Sequence, residues 1–149
     1  MELSTRYREG NLGQITEGDI GSEMKVAGWV ENIRDHGGVS FIDLRDMHGQ
    51  LQIVMRDTSL LKGISKEDCV SIQGEIEKRD EETYNPKIPT GTIELEAHSI
   101  EVLGKVYRPL PFEIATSKEI REDLRLKYRF LDLRRPDIQK NLMMRSQVT

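Results

Sequence analysis

Short stretches in which apolar and polar residues alternate at every second position run from about residue 24 to residue 103. A period of two is typical of β-strands that have one buried face, and turn residues separate the stretches at short intervals. Helical spacing of apolar residues is scarce over the same range. The pattern therefore predicts a small all-β barrel or sandwich.

Five alternating stretches are present, and the first three follow one another as a meander. Turns at residues 35–38 and 47–49 join these three strands. Residues 57–68 then break the alternation, because their apolar residues have helical spacing and Asp57 or Thr58 is a candidate cap. A short helix is therefore predicted between the third and fourth strands.

Each predicted strand has one apolar row that would face the core. Gly28 interrupts the row of the first strand, where a bend or a bulge is expected, and the row of the fifth strand changes phase near His98, which predicts a bulge there. Five strands with a helix between the third and fourth are the pattern of the OB-fold, a five-stranded Greek-key barrel that binds oligonucleotides across strands two and three. The inward residues are Met24, Val26, Val30, Ile42, Leu44, Leu51, Ile53, Met55, Val70, Ile72, Ile76, Ile93, Leu95, Ala97, Ile100 and Val102.

The composition excludes several classes of protein. With 36% hydrophobic and 32% charged residues, the chain has the balance of a soluble globular protein. No apolar run approaches the ~18 residues of a membrane helix and the N-terminus is too polar for a signal peptide, so a cytoplasmic protein without membrane contact is expected. The single cysteine, Cys69, excludes an internal disulfide and is expected to be an inert thiol in a strand.

The strand pattern ends before the last third of the chain. Residues 105–136 show no steady period at first and become helix-compatible later, so a partly helical hinge is expected. Pro136 should break the helical run, which resumes at Asp137, a possible cap, and stops inside the helical pattern. The predicted organisation is a barrel domain at 1–104, a hinge at 105–136 and the truncated start of a further domain at 137–149.

No set of residues has the spacing of a catalytic or metal site. His36, His48 and His98 are far apart, and none is accompanied by a second ligand at metal-binding spacing. Gly37 and Gly38 are explained by a hairpin turn, and neither a glycine-rich phosphate loop nor a nucleophile elbow is present. The chain alone is therefore expected to be no enzyme, with no catalytic residues, no metal and no cofactor of its own.

One aromatic side chain is predicted to point away from the core. The alternation that buries Ile42 and Leu44 turns Phe41 to the opposite face of the second strand. Gln52 on the neighbouring strand is turned outward in the same way, and Arg34 ends the first strand near the same surface. An aromatic ring beside arginine and glutamine suits an unstacked base, which stacks on the ring while the polar groups bind its edge. The other interpretation, in which another segment covers the ring and Gln52 is only a surface residue, stays open.

A nucleic-acid site would have to operate within an acidic chain. The sequence holds 22 basic and 26 acidic residues, a net charge of −4, which alone argues against nucleic-acid binding. Residues 120–145 hold eight basic and four acidic residues and are +4, which leaves residues 1–119 at −8. Affinity of the barrel is therefore expected to depend on stacking and base edges more than on phosphates. Glu94, outward on the fifth strand, would accept hydrogen bonds from guanine or would only solvate the strand.

The sequence resembles that of bacterial-type aspartyl-tRNA synthetases in two stretches, GWVENIRDHGGVSFIDLRDMHGQLQIV and LRLKYRFLDLRRP. The first is similar to the anticodon-binding OB barrel of that family, and the second to the hinge before its class II catalytic domain. With TGTIELEA between them, the resemblance extends from about residue 10 to residue 149. Lysyl- and asparaginyl-tRNA synthetases have a similar barrel, but their hinge usually lacks the KYRFLDLRRP form.

The resemblance implies an RNA-binding role for five residues. Phe41 matches the aromatic residue that stacks on an anticodon base. Gln52 and Arg34 match the polar residues beside it. Glu94 matches the carboxylate that faces the wobble base, and Arg79 matches a basic contact on the fourth strand.

Two further positions bear on specificity within the family. Glu82, in the loop after the fourth strand, stands where many members have basic or amide residues, which would weaken contact with RNA there. His36 stands where the family varies between histidine and leucine. That variation is tied to whether the enzyme charges the asparagine tRNA as well as the aspartate tRNA, so His36 implies dual specificity.

The same resemblance implies the activity of the complete enzyme. It would activate aspartate with ATP and Mg²⁺, esterify it to tRNA, and form a homodimer through a catalytic domain beyond residue 149. This chain would contribute binding of the anticodon loop of tRNA. The alternative from a different class is a protein-interaction module, in which Phe41 and the acidic surface bind a partner protein.

Overall fold

The computed structural model describes residues 4–149, and the chain divides into two compact units between residues 106 and 107. The first unit contains five strands: β1 (Glu23–Asp35), β2 (Ser40–Asp46), β3 (Gly49–Met55), β4 (Cys69–Lys78) and β5 (Ile93–Gly104). They close into a barrel in the order β1-β2-β3-β5-β4. β3 and β5 pair in parallel and the other neighbours are antiparallel. The predicted five-stranded OB barrel is confirmed.

The predicted inward rows form the core of the barrel, with one exception. All of them from Val26 to Ala97 are buried, and Met24 and Ile100 are partly buried against them. Val102 is 41% exposed, so its assignment to the core is wrong. The reason lies in the pairing: β3 contacts β5 only at residues 94–96, and the end of β5 pairs with β4 alone. Val102 therefore lies where no strand closes over it.

Strand irregularities were predicted at Gly28 and near His98, and the structure confirms only the second as a bulge. His98 is the extra residue of β5, so the predicted bulge there is confirmed. Gly28 keeps its pairing in β1, and no bulge forms at it. A β-carbon at Gly28 would collide with the backbone oxygen of Arg45, so this glycine is required by the close approach of β1 and β2.

A bulge at Glu31 decides which side chains of β1 face outward. Val30 and Asn32 pair with consecutive residues of β2, and Glu31 has no pairing partner in that strand. Strict alternation from Val30 would turn Arg34 into the core row. The extra residue shifts the phase, so Ile33 packs against the core and Arg34 faces out.

Tight turns and 3₁₀ helices connect the strands. The turn between β1 and β2 needs glycine, since Gly37 and Gly38 have φ of +68° and +126°. The predicted helix between β3 and β4 is confirmed as a 3₁₀ helix at Thr58–Leu61, and Asp57 caps it by accepting the Ser59 N–H at 3.0 Å. The other 3₁₀ helices of this unit are Leu12–Gln14, Glu17–Asp19 and Glu81–Thr83.

The second unit is helical, as expected for the end of the chain. It contains a 3₁₀ helix at Ser117–Glu119 and three α-helices, α1 (Glu122–Lys127), α2 (Arg129–Asp132) and α3 (Pro136–Val148). Its small core consists of Phe112, Ile114 and Leu131. Within the described part of the chain, no helix combines the length and apolarity that crossing a bilayer requires.

The start of α3 differs from the prediction. The helical run does break before Pro136, because α2 ends at Asp132, but α3 begins at Pro136 with Arg135 as its N-cap, so Asp137 is not the cap. Proline suits the first helical position because the N–H that it lacks would have no partner there. Asp137 instead lies in the first turn, where its carboxylate accepts the N–H of Ile138 at 2.9 Å.

Candidate nucleic-acid interface

A cavity of about 430 Å³ opens on the outer face of β1, β2 and β3. The segment between β4 and β5 forms its remaining wall, and the Thr90 hydroxyl ties this segment to β3 by donating to the backbone oxygen of Gln50. Polar side chains dominate the lining. The lining residues are Asn32, Arg34, His36, Phe41, Asp43, Gln50, Leu51, Gln52, Arg79, Thr83, Asn85 and Ile88.

Three side chains, Arg34, Gln52 and Glu94, form a hydrogen-bonded row across the barrel surface, called here the Gln52 row. The Arg34 guanidinium donates to Gln52 Oε1 at 3.0 Å, and Gln52 Nε2 donates to Glu94 Oε2 at 2.7 Å. Arg34 also pairs with Asp43 at 2.9 Å. Strand register produces this order, since Gln52 pairs with Asp43 on one side and Glu94 on the other.

The environment of Gln52 separates the two interpretations left open by the sequence. Gln52 points away from the core, as predicted, but it is only 6% exposed because Arg34, Glu94 and the cavity walls surround it. It is therefore more than a solvated surface residue. Its amide oxygen and nitrogen both have partners, so a bound base edge would exchange with existing hydrogen bonds instead of adding to unpaired groups.

Phe41 contributes the aromatic surface of the cavity. Its ring is half-buried, and its two described ring contacts are with side chains that also line the cavity. The Arg34 guanidinium lies 5.6 Å from the ring centroid, and the His36 ring meets it edge-on at 5.5 Å. Phe41 thus lies beside the Gln52 row, where a planar base can contact both.

Arg79 lies one residue beyond β4, not on the strand as the resemblance implied. Its guanidinium is buried and donates to the backbone oxygens of Ile93 at 2.9 Å and Thr83 at 3.4 Å. Burial lowers the pKa of Arg79, and the carboxylates of Glu94 and Asp43 partly offset this effect. Arg79 therefore holds the loop that forms the cavity wall and adds positive charge behind the Gln52 row.

The structure places the remaining predicted residues at different distances from the site. His36 lines the cavity. Glu94 is hydrogen-bonded to Gln52, which lines the cavity. Glu82 lies in the exposed 3₁₀ helix after β4 and does not line the cavity. No group of three or more histidine, cysteine, aspartate or glutamate residues within residues 4–149 is arranged to hold a metal ion.

Sequence reasoning missed several lining residues. Asn32 was hidden by the bulge at Glu31, which changes the alternation in β1. Gln50 and Asp43 were not named as site residues, although the alternation in β2 and β3 turns both of them outward and could have marked them. Asn85 lies in a loop without periodicity, where no sequence signal marks it.

A closed five-stranded barrel with an aromatic and polar cavity across its first three strands defines the class of OB-fold binding domains. Comparison with known families shows to which family of OB-fold domains the chain belongs. The chain belongs to the tRNA anticodon family described as the OB-fold nucleic acid binding domain, which matches residues 24–103.

Individual relatives extend the match beyond the barrel. The aspartate–tRNA ligase of Streptomyces griseus is 44% identical over 96% of this chain, and the aspartate–tRNA(Asp/Asn) ligase of Erythrobacter litoralis is 42% identical over 95%. The chain spans 24% of the length of each relative. The predicted resemblance to aspartyl-tRNA synthetases is thereby confirmed.

A solved structure supports the fold alone. Aspartyl tRNA synthetase from Entamoeba histolytica superposes with a TM-score of 0.78 at 19% identity, over 91% of this chain and 34% of that chain.

Proposed function

We propose that this chain is the anticodon-binding domain of an aspartate–tRNA ligase and that its cavity binds bases of the anticodon loop. The observation that carries the proposal is the position of the Gln52 row beside Phe41, since a stacking surface and edge-binding groups meet there. The 44% identity to an aspartate–tRNA ligase supports the choice of RNA.

Binding would proceed by base capture. The anticodon loop opens, and one base stacks on Phe41. A second base edge displaces part of the Gln52 row and takes over hydrogen bonds that Arg34 and Gln52 make to each other. Glu94 then accepts from a donor edge such as the N1–H and amino group of guanine. Because the base replaces hydrogen bonds that already exist, the binding free energy depends on how well its donors and acceptors match those of the protein. Such exchange favours selectivity over affinity.

The proposal extends to the complete protein, because the relatives are about four times as long as this chain. In that protein, residues 105–136 serve as the hinge and residues 137–149 begin the catalytic domain. The catalytic domain activates aspartate with ATP and Mg²⁺, transfers it to tRNA in the cytoplasm, and supplies the homodimer interface. Residues 1–104 contribute recognition, and none of their side chains takes part in the chemistry.

His36 is proposed to set the choice between the aspartate and asparagine tRNAs. Its ring meets that of Phe41 edge-on and also lines the cavity, so it would lie beside a base stacked on Phe41. Several relatives carry the name aspartate–tRNA(Asp/Asn) ligase. Comparable charging of both tRNAs by the full-length enzyme is expected, and strict rejection of the asparagine tRNA would remove His36 from this role.

The function is tested by titrating the chain with anticodon stem-loops at several salt concentrations. We expect binding at low salt that prefers the aspartate anticodon over scrambled anticodons, with a shallow salt dependence because few phosphates are neutralised. Absence of binding to every stem-loop at low salt, together with binding to a partner protein, would favour the protein-interaction module instead. Preference for a lysine or asparagine anticodon would reassign the chain within its class.

A further inference from the structure

Gln50, at the start of β3, is held in one orientation on the cavity wall. Its side-chain Nε2 donates to Glu31 Oε2, and its backbone oxygen accepts from the Thr90 hydroxyl. Gln50 lines the cavity together with Gln52, its neighbour on the same outward row of β3. Gln50 is therefore held both at its side-chain amide and at its backbone.

Glu31 is itself fixed by a buried ion-pair cluster, called here the Arg45 cluster (Glu31, Arg45 and Glu67). Arg45 donates to Glu31 Oε1 at 3.2 Å and to the two oxygens of Glu67 at 2.8 and 3.1 Å. Arg45 and Glu67 are buried. Glu31 follows inward-facing Val30 in β1, so its carboxylate faces outward, on the side of the barrel where Arg45 lies.

The cluster has a chemical consequence at Gln50. A carboxylate only accepts hydrogen bonds, so Glu31 keeps the amide nitrogen of Gln50 toward itself and prevents the amide from turning over. The amide oxygen is then left as the group that can bind a ligand, and among the described residues no donor is bonded to it. Gln50 therefore offers a hydrogen-bond acceptor of fixed direction to the cavity.

We propose that Gln50, held by Glu31, is a specificity-determining acceptor for the exocyclic amino group of a base in the bound anticodon loop. Cytosine presents an amino group where uracil presents a carbonyl oxygen, so an oriented acceptor favours cytosine and opposes uracil at the same position. Glu31 acts through Gln50 and is a positioning residue. This inference rests on the proposed function, because it needs RNA in the cavity.

The test compares stem-loops that differ only by cytosine or uracil at each of the three anticodon positions. The wild-type chain is expected to prefer cytosine at one position. Gln50→Leu should reduce that preference about fivefold, the contribution of one hydrogen bond. Glu31→Gln should also reduce it, because the amide of Gln50 is then free to turn over. Glu101→Gln removes the same charge at an exposed position of β5 outside the cavity and should leave the preference unchanged.

Three outcomes would overturn the inference. An unchanged preference in Gln50→Leu shows that the amide oxygen does not bind the base. An equal loss of affinity for all stem-loops, with the preference kept, shows that Gln50 is only structural. Absence of stem-loop binding by the wild-type chain overturns the proposed function and this inference together, whereas the first two outcomes leave the proposed function standing. Gln50→Leu keeps the Arg45 cluster intact, so it decides the matter even if Glu31→Gln impairs folding.

Discussion

Arg34 and Arg45 lie on neighbouring strands and both point away from the core, yet they have opposite surroundings. The Arg34 side chain is 41% exposed, lines the cavity and forms an ion pair with Asp43. The Arg45 side chain is 6% exposed and lies between Glu31 and Glu67. The comparison shows that facing outward does not make a charge available to a ligand. In the proposed function, Arg34 belongs to the binding surface and Arg45 supports that surface.

The largest expected difference between the two arginines is in stability. Arg45→Met removes the cation that contacts both oxygens of buried Glu67, and loss of one partner of a buried pair is expected to lower the free energy of unfolding by about 3–5 kcal/mol. Arg34→Met, the matched change at the exposed arginine, should lower it by less than about 1 kcal/mol. Urea denaturation measures both, and equal losses would contradict the distinction.

Asp68 is a second buried charged residue that, like Arg45, is expected to stabilise the barrel. Its carboxylate accepts from the Ser65 N–H at 2.9 Å and from Lys105 Nζ and the Val106 N–H at 2.8 Å. Burial raises the pKa of Asp68, these hydrogen bonds lower it, and the net pKa lies below the ordinary 3.8. Asp68→Asn should lower the free energy of unfolding by about 2 kcal/mol at neutral pH.

The pH dependence of that effect has a definite sign. Because the folded pKa of Asp68 is depressed, its contribution is fully present above the unfolded pKa of 3.8 and is lost as the pH falls through the lower folded value. The difference in unfolding free energy between wild type and Asp68→Asn should therefore shrink below about pH 4. A difference that grows on acidification would show that another group causes it.

Substitution of Phe41 tests whether the cavity surface that includes Arg34 binds RNA. Phe41→Ala should weaken stem-loop binding by roughly 1–3 kcal/mol, the contribution of one base stacked on an aromatic ring. The half-buried ring lies outside the barrel core, so the far-UV circular dichroism should be unchanged. Phe41→Tyr keeps the ring and should bind nearly as well. Unchanged affinity in Phe41→Ala would remove Phe41 from the site.

Gln52 should affect selectivity more than affinity. Gln52→Ala removes the centre of the Gln52 row, so discrimination at one anticodon position is expected to relax by about 1 kcal/mol. Titration with single-base anticodon variants measures this. A uniform loss over all variants would indicate that Gln52 does not bind a base edge.

Glu82 should have the smallest effect. It is exposed and lies outside the cavity, so Glu82→Gln should tighten stem-loop binding by no more than about 0.5 kcal/mol through reduced repulsion. The gain should disappear at high salt because an exposed charge is screened. A larger effect that persists at high salt would place Glu82 in direct contact with the RNA.

Alternation in the sequence was sufficient for the barrel, for the bulge at His98, and for the outward direction of Phe41 and Gln52. It could not locate the bulge at Glu31, because that bulge is set by the pairing of two backbones and not by a residue type. It also placed Arg45 outward without revealing that Arg45 is buried. The reason is that Glu67, its main partner, comes from a loop and adopts a left-handed backbone with φ of +65°.

The different roles of Arg34 and Arg45 are tested by following their side-chain Nε–H signals by NMR during titration with the anticodon stem-loop. The Arg34 signal is expected to shift at saturation, because base binding replaces its contacts in the Gln52 row, while the Arg45 signal stays in place. A shift of Arg45 with Arg34 unchanged would contradict the assignment of binding and supporting roles.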